Sequence, residues 1–253
     1  MTNSTIELIH KHGSVRNYKS DPVSREIIEI IVAACQRAST SSNLQMYSAI
    51  ATTDQAKRTR LMSLCGGQKH IGGAPVFLTW CADLNRLTRA CDMQGYTHEA
   101  GYMENLLLAV VDVSLVMQNA ALAAESLGLG FCYIGAIRNS PQEVIDLLAL
   151  PKQVFPICGM TLGWPVESPS IRPRLPLEAV LHWDTYNVND EEYLKAYDQD
   201  MIATGIYKGR QVSGGEEKAE KVYGWTEHSA RRASQVIRPH LREVLQKAGF
   251  EMK

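Results

Sequence analysis

The run Leu106-Leu107-Leu108-Ala109-Val110-Val111-Asp112-Val113-Ser114-Leu115-Val116-Met117 decides the architecture. Its apolar residues go nearly all the way round a helical projection, so a helix built from it must be covered on most sides. Helical periodicity extends from Glu99 to Leu127, and Gly128 is a natural stop just past it. A small domain seldom hides so long a helix alone, so a subunit interface is expected against it. The longest apolar stretch, Leu106 to Val111, is too short to cross a bilayer.

Working outward, Arg25 to Ala38 is a second helix, with Ile27, Ile28, Ile31, Val32 and Cys35 at three- and four-residue steps. Ser24 can cap it by accepting from orphan backbone N–H groups. Thr5 to His12 reads as an opening helix and Gln55 to Leu64 as another, broken by Cys65-Gly66-Gly67-Gln68. Strands are expected at Met46 to Thr53, Val76 to Ala82, Phe131 to Ile137 and Phe155 to Leu162, all short and rich in apolar, aromatic or β-branched residues. Between the last two, Pro141 suits the first turn of a helix running to Leu148. Prolines 165, 169, 173 and 176 then mark an extended connection, and a polar helical part begins near Asp190. Helices and strands mix without a regular strand–helix–strand beat, which predicts an α+β fold.

At 253 residues the chain can bury a core without staples, and its six scattered cysteines form no framework and no C-x-x-C pair. They read as small buried hydrophobes of a reducing compartment, with cytoplasm the default. The N-terminus has no basic region followed by an apolar one, so no signal peptide is expected. A net charge of -1 gives no electrostatic case for nucleic acid or membrane partners. Phosphate-binding G-x-x-x-x-G-K-[ST], G-x-G-x-x-G after a strand, G-x-S-x-G and H-E-x-x-H are all absent. His10 and His12 lack the further ligands a metal would need.

Four segments carry donors or open backbone at loop positions. His12-Gly13-Ser14-Val15-Arg16 can supply several donors to one phosphate. Ala38-Ser39-Thr40-Ser41-Ser42-Asn43 offers hydroxyls and N–H groups, and Gly66-Gly67-Gln68-Lys69-His70 lets backbone approach a flat ligand. Tyr133-Ile134-Gly135-Ala136 puts small residues at a strand end, and Arg172-Pro173-Arg174 fixes two cations across a stiff proline. Each segment alone also reads as an ordinary solvated loop; their joint order is specific.

In that order the chain resembles the oxygen-insensitive NADPH nitroreductase and flavin reductase group of the FMN-dependent nitroreductase superfamily. The resemblance runs through Ile6-Glu7-Leu8-Ile9, the four segments, Cys81 to Arg86, Ala124 to Gly130, Ile137-Arg138-Asn139, Leu162-Gly163-Trp164-Pro165 and Arg172 to Pro176. It implies an α+β homodimer with a mainly antiparallel sheet and FMN at the subunit interface. It also implies a single domain over 1–253 with a mobile helical excursion at about 185–253. By that pattern His12, Ser14, Arg16, Arg172 and Arg174 hold the FMN phosphate and ribityl chain, with Gly13 and Val15 in the same cradle. Thr40, Ser41 and Gln68 touch the ribityl and the polar ring edge, and the backbone of Tyr133, Ile134, Gly135 and Ala136 lies against the isoalloxazine. Lys208 and Arg210, on a loop whose Gly209 and Gly214-Gly215 suit motion, are the implied grips on the NADPH 2′-phosphate, and Arg138 is a further implied candidate.

The implied reaction is ping-pong transfer from NADPH or NADH to nitroaromatics, quinones or free flavin. A dedicated flavin reductase feeding a partner and a non-catalytic FMN-binding protein are the alternatives. The chain departs from the pattern at Gly13, Asn43, Ala136, Arg172, the extra residues between Arg86 and Leu106 (with Tyr96, His98 and Tyr102), and Glu216 to Lys221.

Overall fold

The computed structural model describes residues 2–213 and 223–253. It divides into two compact units, one of residues 1–170 with 238–253 and one of residues 171–237.

In the first unit α1 (Ser4–His10) and α2 (Arg25–Cys35) precede β1 (Tyr47–Thr52), α3 (Gln55–Leu64) and α4 (Lys69–Gly73). Then come β2 (Val76–Asp83), α5 (Asn85–Gln94), α6 (Met103–Ser126), β3 (Gly130–Ile134), α7 (Pro141–Leu148) and β4 (Val154–Gly163). The second unit holds α8 (Glu191–Ala203) and α9 (Trp225–Ala233), and the chain returns to the first unit for α10 (Leu241–Lys247).

The four strands form one antiparallel sheet in the order β1-β2-β4-β3, which makes the fold α+β. Every residue of the central strand β2 is buried. Its alternation sends Val76, Leu78 and Trp80 into a core with α2 and α6, and Phe77 into another with Leu61, Leu64, Ile71 and Val144 of α3, α4 and α7. Gly159 of β4 sits where Phe77 crosses, and a Cβ there would come within 2.2 Å of the ring.

The expected caps are present. Ser24 accepts from the Ile27 N–H at 3.2 Å, Pro141 opens α7, and Gly128 follows α6 with φ +80°. Three boundaries differ from the sequence reading. The strand predicted over Phe131 to Ile137 ends at Ile134, because Gly135–Arg138 coils into a 3-10 turn closed by Asn139 N–H to the Ala136 carbonyl at 2.9 Å. Helix α6 begins at Met103, since the preceding Gly101 and Met103 itself pair with the backbone of Lys253. Helix α5 has no counterpart in the sequence reading; Leu87, Ala90 and Cys91 mark one apolar face, but none of its residues is fully buried.

Length and composition alone would let α6 cross a membrane, so the bound set by Leu106 to Val111 is too narrow for the helix as a whole. In the fold it is a core helix, burying Ala109, Val113, Val116, Ala120, Ala121 and Ala124. It leaves Leu107, Val111 and Leu115 exposed, so burial within one chain is one-sided.

Asp112 in its middle is completely buried, and its two carboxylate oxygens accept the backbone N–H groups of Ser41 at 2.9 Å and Met46 at 3.0 Å. A buried carboxylate is tolerated when such donors replace its water.

Two substitutions test this packing. Gly159→Ala is expected to lower stability by roughly 1–3 kcal/mol through overpacking against Phe77, seen as an earlier urea midpoint. Asp112→Ala strands two buried N–H groups and is expected to cost about 2–4 kcal/mol by the same measurement. Wild-type midpoints would contradict the β2–β4 register in the first case and the buried tie in the second.

Candidate functional site

The segment after α1 is laid on the sheet edge as an extended strip. The Val15 N–H donates to the Phe131 carbonyl at 2.8 Å, and the Tyr18 hydroxyl donates to the Val15 carbonyl at 2.7 Å. Burial pushes the Tyr18 phenol well above its usual range, so it stays a protonated donor. Val15 is buried against Gly130, where a Cβ would come within 2.5 Å of its side chain. Alternation then turns Ser14 and Arg16 outward, into a cleft of about 360 Å³ completed by Asn17 and Glu167–Ser170. At Gly13 a Cβ would meet Pro169 at 2.8 Å, so the larger side chain implied at this position by the family pattern has no room.

His12 lies flat on Phe131, with ring centroids 5.0 Å apart, and its Nδ1 is 2.6 Å from Glu125 Oε1 in the last turn of α6. The loop carrying Thr40 and Ser41 is held at both ends. Asp112 takes the Ser41 and Met46 N–H groups, and Arg86 donates to the carbonyls of Gln45 and Tyr47 at 2.9 and 3.1 Å. Between them Ser42, Asn43 and Gln45 all adopt left-handed backbone (φ 47°, 57° and 52°). Such conformations cost of order 1 kcal/mol each in non-glycine residues, and the ties at either end hold them.

Gly66 and Gly67 (φ +77° and +70°) make the turn into α4, a conformation that suits glycine. Gln68 follows, its Nε2 donating to the Cys65 carbonyl at 3.0 Å and its amide oxygen left for another partner. His70 is half-buried, and its Nε2 is a buried atom with no hydrogen-bond partner among the described residues. Burial lowers its pKa, and the Arg16 charge adds to the shift, which places those two segments in electrostatic reach.

Tyr133 is tied by its hydroxyl to the Met117 carbonyl of α6 at 2.9 Å, and the Gly135–Arg138 turn follows. Arg138 donates to the Ile157 carbonyl, and its Nη2 lies 3.5 Å from where a Gly135 Cβ would stand. Its guanidinium is folded across the turn, away from the extended reach a solvent-borne phosphate would need.

In the second unit Arg174 is exposed and folds back, its Nη1 3.2 Å from the carbonyls of Arg172 and Pro173. Lys208 and Arg210 are exposed on successive turns after α8, closed by N–H groups of Lys208 to Gly205 and Arg210 to Tyr207. Tyr207 stacks on His228 at 4.4 Å; Tyr223 accepts the Val212 N–H at 2.9 Å, and Arg231 stands 5.3 Å over the Tyr223 ring. Gly214-Gly215 and Glu216 to Lys221 lie outside the described residues.

In the first unit Ser14 and Arg16 share one cleft, Gly66 lies beside Asn139 at the end of the Gly135–Arg138 turn, and the Thr40–Ser41 loop is tied to α6 through Asp112. The donor set fits FMN: a cation and hydroxyl in a cleft for phosphate, amide and hydroxyl groups for a polyol, and small residues at a strand end for a flat ring. Sequence reasoning missed Asp112, Glu125 and Arg86. Two of these lie inside α6, where charge interrupting an otherwise apolar face was the available signal.

The nitroreductase family model matches residues 9–69 and 62–164, and the model for the family's C-terminal domain matches 172–253. A Cr(VI) reductase of Pseudomonas sp. (strain G-1) is 42% identical over 98% of this chain and 99% of the relative. An oxygen-insensitive NADPH nitroreductase of Salmonella typhimurium is 41% identical over 97% and 98%. The solved NADPH:FMN oxidoreductase from Vibrio harveyi, complexed with NAD+, superposes with a TM-score of 0.87 at 32% identity, covering 99% of this chain and 100% of that one. With its fold and nearly all of its length matched in this way, the chain belongs to the nitroreductase family.

Proposed function

We propose that this chain is an FMN-dependent NAD(P)H oxidoreductase that reduces nitroaromatics, quinones and free flavin, and acts in the cytoplasm. The observation that carries the reading is the cleft lined by Ser14 and Arg16, a hydroxyl and a cation suited to a phosphate, in a nitroreductase-family chain. The relative named as a Cr(VI) reductase adds chromate to the acceptors worth assaying.

FMN, when bound, would supply the redox chemistry that links the nicotinamide to an acceptor. The protein's part is to hold and orient. Arg16 and Ser14, with His12, Gly13 and Val15 in the same strip and Arg172 and Arg174 from the second unit, bind the phosphate. Thr40, Ser41 and Gln68 bind the ribityl and the polar ring edge, and the backbone of Tyr133, Ile134, Gly135 and Ala136 flanks the ring. One open cleft serving donor and acceptor in turn gives ping-pong kinetics, with parallel double-reciprocal lines. Lys208 and Arg210 grip the 2′-phosphate of NADPH, and Arg138 is a further candidate for substrate binding. The whole of 1–253 acts as one FMN-binding domain whose later part, about 185–253, moves to admit substrates.

A homodimer completes the site. Leu107, Val111 and Leu115 are 55%, 53% and 44% exposed at four-residue steps on α6, an apolar stripe suited to a second copy. Trp183 and Tyr186 of the second unit are 80% and 74% exposed.

Two outcomes check these points. Leu107→Glu with Leu115→Glu is expected to shift sedimentation from dimer to monomer and to release FMN; an unchanged dimer places the interface elsewhere. Arg210→Ala is expected to raise KM for NADPH by about tenfold or more while leaving KM for NADH within about twofold, as loss of one charge-assisted contact implies. Equal effects on both would remove Arg210 from the 2′-phosphate.

A further inference from the structure

Glu125 occupies a position that helix electrostatics disfavours. It lies in the last turn of α6, where the exposed carbonyls carry partial negative charge and a carboxylate is repelled. Its side chain is only 14% exposed, so water compensates little. Among the described residues its carboxylate meets one side chain, His12, at 2.6 Å across 113 positions of sequence. The His12 ring is fixed in a second way by its stacking on Phe131.

With Nδ1 given to Glu125, Nε2 is the ring nitrogen for which no hydrogen bond is given among the described residues. A carboxylate on one edge of an imidazole steadies a proton on the other edge when an anion arrives, because the positive charge is then shared between two anions. Without the carboxylate, the ring can turn, and can offer a lone pair where the anion needs a donor.

We propose that Glu125 is a positioning residue for the phosphate of FMN, acting through His12: it fixes the imidazole so that Nε2 donates to a phosphate oxygen. This rests on the FMN reading above. It adds a residue that no phosphate oxygen need touch, set on the same helix that anchors Ser41 through Asp112.

The test separates the phosphate from the rest of the flavin. Full-length chain stripped of flavin is titrated with FMN and with riboflavin, following flavin fluorescence. Wild type is expected to prefer FMN. Glu125→Gln is expected to weaken FMN binding on the order of tenfold, as for loss of a charge-assisted contact, with riboflavin binding changed less than about twofold. In a His12→Gln background, Glu125→Gln should then do nothing further to the FMN-to-riboflavin ratio.

A structural role alone would weaken both flavins alike, or neither, and either result overturns the proposal. Additive loss in the double variant overturns it too. If Glu125→Gln does not fold, Glu125→Asp, which withdraws the carboxylate by one methylene, should show a partial loss of preference, and an unchanged preference would count against the proposal. Arg16→Ala keeps the two levels apart. If it leaves the preference for FMN intact, the phosphate reading itself fails; if it abolishes the preference while Glu125→Gln retains it, only the role of Glu125 falls.

Discussion

The arrangement depends on one constraint: an apolar helix buried against the sheet must also carry the polar ties that hold the ligand-facing loops. Helix α6 packs on α2 and the sheet through small and β-branched residues, which lets the backbones come close. From this apolar surface come three polar contacts: Asp112 to the Ser41 loop, the Met117 carbonyl to Tyr133, and Glu125 to His12. Each sits where water is scarce, so each contact is strong while made and costly if broken. Loops that would otherwise be mobile are thereby referred to one rigid element.

The two units divide the work by their stiffness. In the first, backbone bonds, buried aromatics and close glycine contacts hold the strip around Ser14 and Arg16. In the second, Lys208 and Arg210 stand on exposed turns whose base is pinned by Tyr207, Tyr223, His228 and Arg231.

Much of this was legible in the sequence. The order of helices and strands followed from apolar period and from Ser24, Gly128 and Pro141, whose local preferences agree with the fold. The donor segments were legible because loops rich in Gly, Ser and Arg stand out between apolar runs. The strand after Gly130 was drawn too long because Ile137 continues its apolar pattern, while the turn at Gly135 is set by contacts with Arg138 and β4. Helix α5 was missed although Leu87, Ala90 and Cys91 recur at helical steps, a short face that is only partly buried. Glu125 and Asp112 were passed over for the opposite reason: within an apolar helix a lone carboxylate gains meaning only from partners 113 and 71 residues away.

The most direct test of the account is an anaerobic spectral titration of the purified protein. Flavin absorption bands should be present, bleach on addition of NADPH, and return when a quinone or nitroaromatic is added. Absence of those bands after FMN has been supplied, or bands that neither NADPH nor NADH bleaches, would contradict the claim that this cleft holds FMN for electron transfer.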